Sequence, residues 1–172
     1  MGEIKKFNPG VNIEVLSGDF AGCNSSLKKA VASFPEVFSH NIETVERLSP
    51  RVRDARADYK QSLLVLQNAK RWGHQTMMTK SALLLGLGES QEEVIVALED
   101  LRNVDVDIIT MGQYMRPTKK HLSIKEWVPP SQFKVYEIEA KRLGFKAVAS
   151  HPLVRSSYKA EEVFRCAKEI KS

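Results

Sequence analysis

Met77-Met78-Thr79-Lys80-Ser81-Ala82-Leu83-Leu84-Leu85-Gly86-Leu87-Gly88-Glu89-Ser90-Gln91-Glu92-Glu93 holds the end of one element and the start of the next. Residues 77–87 read as a strand that runs out in Gly86-Leu87-Gly88-Glu89, and Ser90 with Glu93 three residues later forms a capping box. Beyond that box Val94, Ala97, Leu98 and Leu101 recur at helical spacing and give the helix its buried face. This stretch is therefore one strand-then-helix unit, and the rest of the chain repeats it.

Upstream, Tyr59, Leu63, Leu66 and Ala69 share one face of a helix that ends near Gly73. A strand at residues 37–40 precedes it. Before that strand comes a helix through Leu27, Ala30 and Val31, with Ser25 and Ser26 as capping candidates, and before the helix a first strand at 13–16. Downstream, residues 106–111 form a fourth strand, and Phe133, Tyr136, Ala140 and Leu143 stripe a helix stopped by Gly144. A short strand at 145–149 closes the series. Alternation of this kind predicts an α/β fold with parallel strands and right-handed crossovers: about four to five βα units of a partial, TIM-like β/α barrel, or an open α/β sheet. Periodicity does not separate the two. The 172 residues, 42% hydrophobic and 27% charged, fit one domain across 1–172.

A formal net charge of +5 is spread through mixed-sign clusters such as Arg51-Val52-Arg53-Asp54-Ala55-Arg56, which favours anionic ligands without the concentrated basic face of a nucleic-acid binder. No run of about 18 apolar residues spans a membrane, and Met1-Gly2-Glu3-Ile4-Lys5-Lys6 lacks the apolar core of a signal peptide, so the expected setting is intracellular. Cys23 and Cys166, the two cysteines, stand far apart with no neighbouring ligand at metal spacing.

In βα architectures, functional groups gather where strands end. The second strand ends in Ser39-His40-Asn41-Ile42-Glu43-Thr44, where Asn41 and Glu43 alternate to one face if the strand continues and can hydrogen-bond ribose hydroxyls; an ordinary turn also accommodates them. The third ends at Gly86 and Gly88, whose missing side chains let a flat ring approach the backbone, or which serve simply as turn residues. The fourth leads into Gly112-Gln113-Tyr114-Met115-Arg116-Pro117-Thr118. Core packing accounts for Tyr114 and Met115, while Gln113 and Arg116 are suited to fixing a carboxylate or an adenine edge. Near the C-terminus Arg155, Ser156 and Ser157 follow the last strand, where either serine also serves as a helix cap.

His40-Asn41-Ile42-Glu43-Thr44-Val45, Val52-Arg53-Asp54-Ala55-Arg56-Ala57, Leu85-Gly86-Leu87-Gly88-Glu89, Gly112-Gln113-Tyr114-Met115-Arg116-Pro117-Thr118 and Leu153-Val154-Arg155-Ser156-Ser157-Tyr158-Lys159-Ala160 together resemble, in order and spacing, the C-terminal part of lipoyl synthases of the radical S-adenosylmethionine superfamily. The resemblance runs from about Asn8 to about Phe164. It implies a partial β/α barrel that holds S-adenosylmethionine and two four-iron, four-sulfur (4Fe-4S) clusters and inserts sulfur into an octanoyl chain on a lipoyl-carrier protein domain. Ser156 would be an oxygen ligand to one iron of the sulfur-donating cluster with Arg155 beside it, a hard and replaceable partner among soft thiolates. Asn41, Glu43, Gly86 and Glu89 would line the S-adenosylmethionine site, Gln113 and Arg116 would close its far side, and Lys80 would be available to neutralise a carboxylate. The compartment implied is mitochondrial or plastid in a eukaryote and cytoplasmic in a bacterium.

The departures lie in the cluster ligands. Neither the Cys-x3-Cys-x2-Cys set nor the second three-cysteine set of the family occurs, Ala82 and His151 replace glycines, and Asp19-Phe20-Ala21-Gly22-Cys23 stands where the family has Asp-Phe-Arg-Gly-Asp. The expectation is a chain that begins inside the barrel and is inactive alone. Two other readings stay open: a non-catalytic module for a small anionic or nucleoside ligand, and a subunit that completes a barrel with a cysteine-bearing N-terminal half. After reconstitution with iron and sulfide the isolated chain is expected to hold no stable four-iron cluster, because one serine and two scattered thiols do not make a ligand set. Iron counting and visible absorption check this, and a stoichiometric brown species would overturn it.

Overall fold

A computed structural model describes residues 1–169 of the chain. Five strands, β1 (Glu14–Leu16), β2 (Val37–Ser39), β3 (Met78–Leu85), β4 (Ile108–Gln113) and β5 (Ala147–Ser150), form one sheet in chain order, with every neighbouring pair parallel. The helices are α1 (Gly2–Phe7), α2 (Asn24–Val31), α3 (Ser49–Val52), α4 (Tyr59–Trp72), α5 (Gln91–Asn103), α6 (Pro130–Arg142) and α7 (Ala160–Glu169). Each of the four crossovers between strands carries at least one of them.

Register and alternation assign the faces. Phe38 packs with Leu27 and Val31 of α2 and Val65 and Ala69 of α4, while Leu83, Leu85, Ile109 and Met111 pack with residues of α4, α5 and α6. Phe38 pairs with Thr79, and Ser81 with Ile109, so all these side chains leave the sheet on one side. A sheet that never reverses its order and keeps its crossover helices on one face is a singly wound barrel wall, which resolves the choice between barrel segment and open sheet. The opposite, inner face carries Val37, Met78, Ile108 and Ala147, and these are covered by Phe164 and Ala167 of α7.

Local signals place the ends. Ser90 and Glu93 make the expected capping box at α5, and Asp58 accepts from the Gln61 N–H at 2.7 Å to start α4. At α2 the cap position is Cys23, not Ser25 or Ser26; both hydroxyls lie within hydrogen-bonding distance of its sulfur, at 3.2 and 3.4 Å. The last helix is likewise not capped by Ser156 or Ser157. It starts at Ala160, after Lys159 in the left-handed region at φ 44°. β4 begins at Ile108, two residues later than its apolar run, with Asp107 immediately before it.

Asp107 ties the lower end of the sheet together. Its carboxylate accepts from the Thr79 N–H at 2.9 Å and from Lys70, and pairs with Lys146 at 3.0 Å. Burial opposes the charge, but the Lys70 and Thr79 hydrogen bonds and the Lys146 ammonium outweigh it and hold the carboxyl below its ordinary value. A carboxyl depressed in the folded state contributes stability that is complete above its unfolded pKa, about 3.9, and is lost as pH falls through the folded value. Asp107→Asn is therefore expected to cost about 2–3 kcal/mol at neutral pH, with the gap to the unsubstituted chain closing below about pH 4. Urea unfolding at pH 7 and pH 3 measures both, and an equal deficit at the two pH values would refute the assignment.

Candidate functional site

Past the end of β2 the chain does not stay extended. Ile42 enters the helix-side core, Glu43 takes φ 63°, and the Thr44 N–H donates to the Ile42 carbonyl at 2.8 Å, so a three-residue turn is centred on Glu43. The turn is held to β3 by the Glu43 N–H on the Ala82 carbonyl at 3.1 Å and the Leu84 N–H on the Glu43 carbonyl at 2.8 Å. It brings the two expected side chains together: Asn41 Nδ2 donates to Glu43 Oε1 at 3.1 Å. Burial pushes the Glu43 carboxyl above its ordinary value, against the pull of that hydrogen bond and of the Arg53 guanidinium. Asn41 Oδ1 is buried with no partner.

Arg53 was not among the expected site residues. It follows α3, its Nη1 donates to Ser62 Oγ at 2.9 Å, and its charge acts on Glu43, Asp19 and Asp58 while burial lowers its own pKa. His40 lies in the same group, with Nδ1 at 2.9 Å from the Ser17 carbonyl and a buried, unpartnered Nε2; burial above all lowers its pKa, so the ring is neutral at pH 7. The result is a semi-buried carboxylate, amide, guanidinium and neutral imidazole at one strand end.

The end of β3 is built differently from the expectation. The Glu89 carboxylate accepts from the Gly86 and Leu87 N–H groups, the latter at 2.9 Å, so it closes its own turn. Gly86 has φ +96°, and a Cβ there would lie 2.3 Å from Gln113 Nε2 and 2.4 Å from the Glu126 carbonyl. What approaches this glycine is the protein's own chain. Gln113 is buried on the helix side, where Nε2 donates to the carbonyls of Tyr114 and Glu126 at 3.2 and 3.1 Å and Oε1 accepts from the Val128 N–H at 3.0 Å. Arg116 is exposed and donates to the carbonyls of His121, at 2.9 Å, and Lys119. Gln113 and Arg116 thus shape the loop after β4 rather than pointing with Asn41 and Glu43.

On the inner face, Gly112 makes room for the returning C-terminal segment: its Cβ would sit 2.0 Å from the Val154 carbonyl and 3.3 Å from Arg155 Nη1. Arg155 Nη1 donates to that same carbonyl at 2.7 Å. Val154 and Arg155 therefore cross the end of β4, with the half-buried Ser156 next along the chain, two strand positions from the Glu43 turn, about 10 Å at ordinary strand spacing. Lys80, in turn, is bound at 2.9 Å to both carboxylate oxygens of Glu14.

Against known proteins, no family model matches the chain. It is 50% identical over 167 residues to the lipoyl synthase of Pyrobaculum arsenaticum, covering 96% of this chain and 56% of that protein. The lipoyl synthase of Thermus thermophilus is 50% identical over 161 residues, 94% of this chain and 50% of its own length, and the apicoplast lipoyl synthase of Toxoplasma gondii 52% identical over 94% of this chain and 30% of its own. The chain is a homologue of the lipoyl synthases. It spans 30% to 56% of the length of these relatives. A crystal structure of methylornithine synthase superposes with a TM-score of 0.65 over 85% of this chain and 42% of that one, at 19% identity, and supports the barrel-segment fold.

A lipoyl synthase relative raises the question of iron–sulfur clusters, and the thiols present do not fit one. Cys23 and Cys166 are both exposed, the first at the cap of α2 and the second in α7, which pack against opposite faces of the sheet, and no group of three or more His, Cys, Asp or Glu residues able to hold a metal ion exists among the described residues. S-adenosylmethionine fits better: Asn41 Oδ1 and, on the inner face, Ser39 Oγ and Thr110 Oγ1 are buried polar atoms lacking partners. Because Gln113 satisfies three backbone groups, Gln113→Leu is expected to free residues 114–128 without unfolding the sheet. Amide exchange in that loop should rise at least tenfold while β3 and β4 stay protected; unchanged exchange would show that the clamp is not what orders the loop.

Proposed function

We propose that this chain supplies the S-adenosylmethionine-binding and acyl-facing part of a lipoyl synthase, for sulfur insertion into an octanoyl chain on a lipoyl-carrier domain. The observation that carries the reading is the identity of about half of all residues over 94% to 96% of the chain. In this reading Asn41 and Glu43 take the ribose hydroxyls or the ammonium of S-adenosylmethionine, and Arg53 takes its carboxylate. Bound there, S-adenosylmethionine would supply the carbon–sulfur bond whose cleavage, by an electron from a donor outside these residues, precedes hydrogen abstraction from the acyl chain. The protein's own part is to hold the sulfonium ligand at the strand ends, keep the Glu43 carboxylate close to it and exclude water through the loop clamped by Gln113. Gly86 and Glu89 act by fixing the turn that forms the floor of the site.

The cluster ligands lie outside what these residues provide, so no step is assigned through a cluster; Ser156, half-buried and two residues past the Val154 carbonyl that lies against Gly112, is offered as the oxygen ligand and Arg155 as its neighbour. A second reading, a subunit that completes a barrel with a cysteine-bearing partner, is favoured by the unpaired outer edges of β1 and β5. In either reading the compartment follows the relatives, some of which are named mitochondrial or apicoplast. No helix of the described residues is long and apolar enough to cross a membrane.

The test joins this chain to the cysteine-bearing remainder of the Thermus thermophilus lipoyl synthase and measures S-adenosylmethionine affinity and lipoyl product. Asn41→Ala and Glu43→Ala are each expected to weaken S-adenosylmethionine binding about tenfold. Ser156→Ala should leave that affinity unchanged and stop product formation. A joined chain that binds no S-adenosylmethionine, or a Ser156→Ala form that turns over at the unsubstituted rate, would remove the reading or the serine's role in it.

A further inference from the structure

The loop between β4 and α6 is unusual in both charge and rigidity. No acidic residue occurs between Asp107 and Glu126, and Lys119, Lys120 and Lys125 are exposed with no carboxylate within 4 Å among the described residues. On the neighbouring α6, by contrast, Lys134, Lys141 and Arg142 all pair with glutamates of their own helix. The loop is also fixed at both ends. The Tyr114 N–H donates to the Leu85 carbonyl at 2.8 Å, the Tyr114 hydroxyl to the Leu122 carbonyl at 3.0 Å, and the Lys125 N–H to the Gly86 carbonyl at 2.9 Å. Arg116 spends its guanidinium on the carbonyls of the turn between these anchors.

We propose that loop 116–125 is the docking surface for a carboxylate-rich face of the protein domain that carries the octanoyl chain. The inference rests on the substrate reading above. Three unneutralised ammonium groups on a preorganised backbone lose little conformational freedom on binding and steer an oppositely charged partner to the strand ends. Met115 and Trp127, 49% and 64% exposed at the two ends of the loop, supply the apolar anchors that a purely ionic patch lacks. The location selects a carrier protein over a nucleic acid or an anionic membrane. Whatever docks here is positioned over the ends of β3 and β4 and must present a substituent to them, and three lysines with two apolar side chains are too few to track a polyanion.

The experiment measures, by calorimetry at low and at high salt, binding of the full chain to an octanoylated lipoyl-carrier domain of negative net charge. Lys119→Glu, Lys120→Glu and Lys125→Glu together are expected to raise Kd at least tenfold at low salt and to flatten its salt dependence. The corresponding Lys119→Gln, Lys120→Gln, Lys125→Gln form should give a smaller loss and keeps the test valid if the reversed form folds poorly. Reversal of Lys29, Arg71 and Arg165, exposed and away from the loop, should change Kd less than twofold. If the loop variants bind the carrier as the unsubstituted chain does, or if these lysines bind a short DNA duplex or phosphatidylserine vesicles more tightly than the carrier, the docking assignment is overturned while the substrate reading stands. If the unsubstituted chain does not bind the octanoylated carrier at all, the substrate reading fails and the docking surface with it.

Discussion

Parallel strands that follow one another across a sheet in chain order, with crossovers of one hand, have only one face on which to carry their helices. That constraint organises everything else in this molecule. It puts α2, α4, α5 and α6 against Phe38, Leu83, Leu85, Ile109 and Met111, and it leaves the inner face to be covered by something other than a crossover helix. It also sends every strand's C-terminal end to the same rim, so that loops remote in sequence, after residues 39, 85, 113 and 150, meet there.

At that rim the residues divide by what satisfies them. Gln113, Glu89 and Arg116 spend their hydrogen-bonding capacity on backbone groups of the rim, and a buried amide that pairs three main-chain partners is costly to leave unpaired. Asn41 keeps a buried oxygen without a partner, and Glu43 keeps a carboxylate that is only partly compensated. A polar group left short inside a packed site is where a ligand gains most, because it supplies a missing bond rather than displacing an existing one. Gly86 marks the border between the two sets: its bare Cα admits the loop that Gln113 clamps.

The strands and helices were legible because each carries its own period and its own stop signal, as at Ser90, Glu93 and Gly86. Asn41 and Glu43 were legible as neighbours, though by a different route: strand alternation was expected to align them, and a turn at Glu43 does so. Arg53 was not legible. Its stretch reads as a solvated mixed-sign cluster, and only the fold of α3 and α4 brings the guanidinium to the strand end. Nor does composition separate a glutamine that clamps a loop from one that meets a ligand, since both need a strand-end position; the face on which Gln113 emerges decides, and that depends on register. The place of α7 was equally hidden, because an amphipathic stripe states that a face is buried and not against what.

The inner face then limits where a ligand can sit. Its lower half is filled by Phe164 and Ala167 of α7 on Val37, Met78, Ile108 and Ala147. Just above that apolar layer Lys80, 1% exposed, is held by Glu14 across the first three strands. A buried ammonium persists only with its partner, so the pair fixes the register of the short β1 against β3 more than it adds net stability. The unpartnered hydroxyl of Ser39 is level with Lys80, Ala82 and the unpartnered hydroxyl of Thr110 form the next inner-facing step, and Gly112, crossed by Val154, comes above them. Apolar layer, ion pair with one free hydroxyl beside it, a second free hydroxyl and bare backbone thus succeed one another from the bottom of the sheet to the rim. A polar ligand of moderate size meets unsatisfied groups only in the upper half, within reach of Asn41, Glu43 and the segment bearing Arg155 and Ser156.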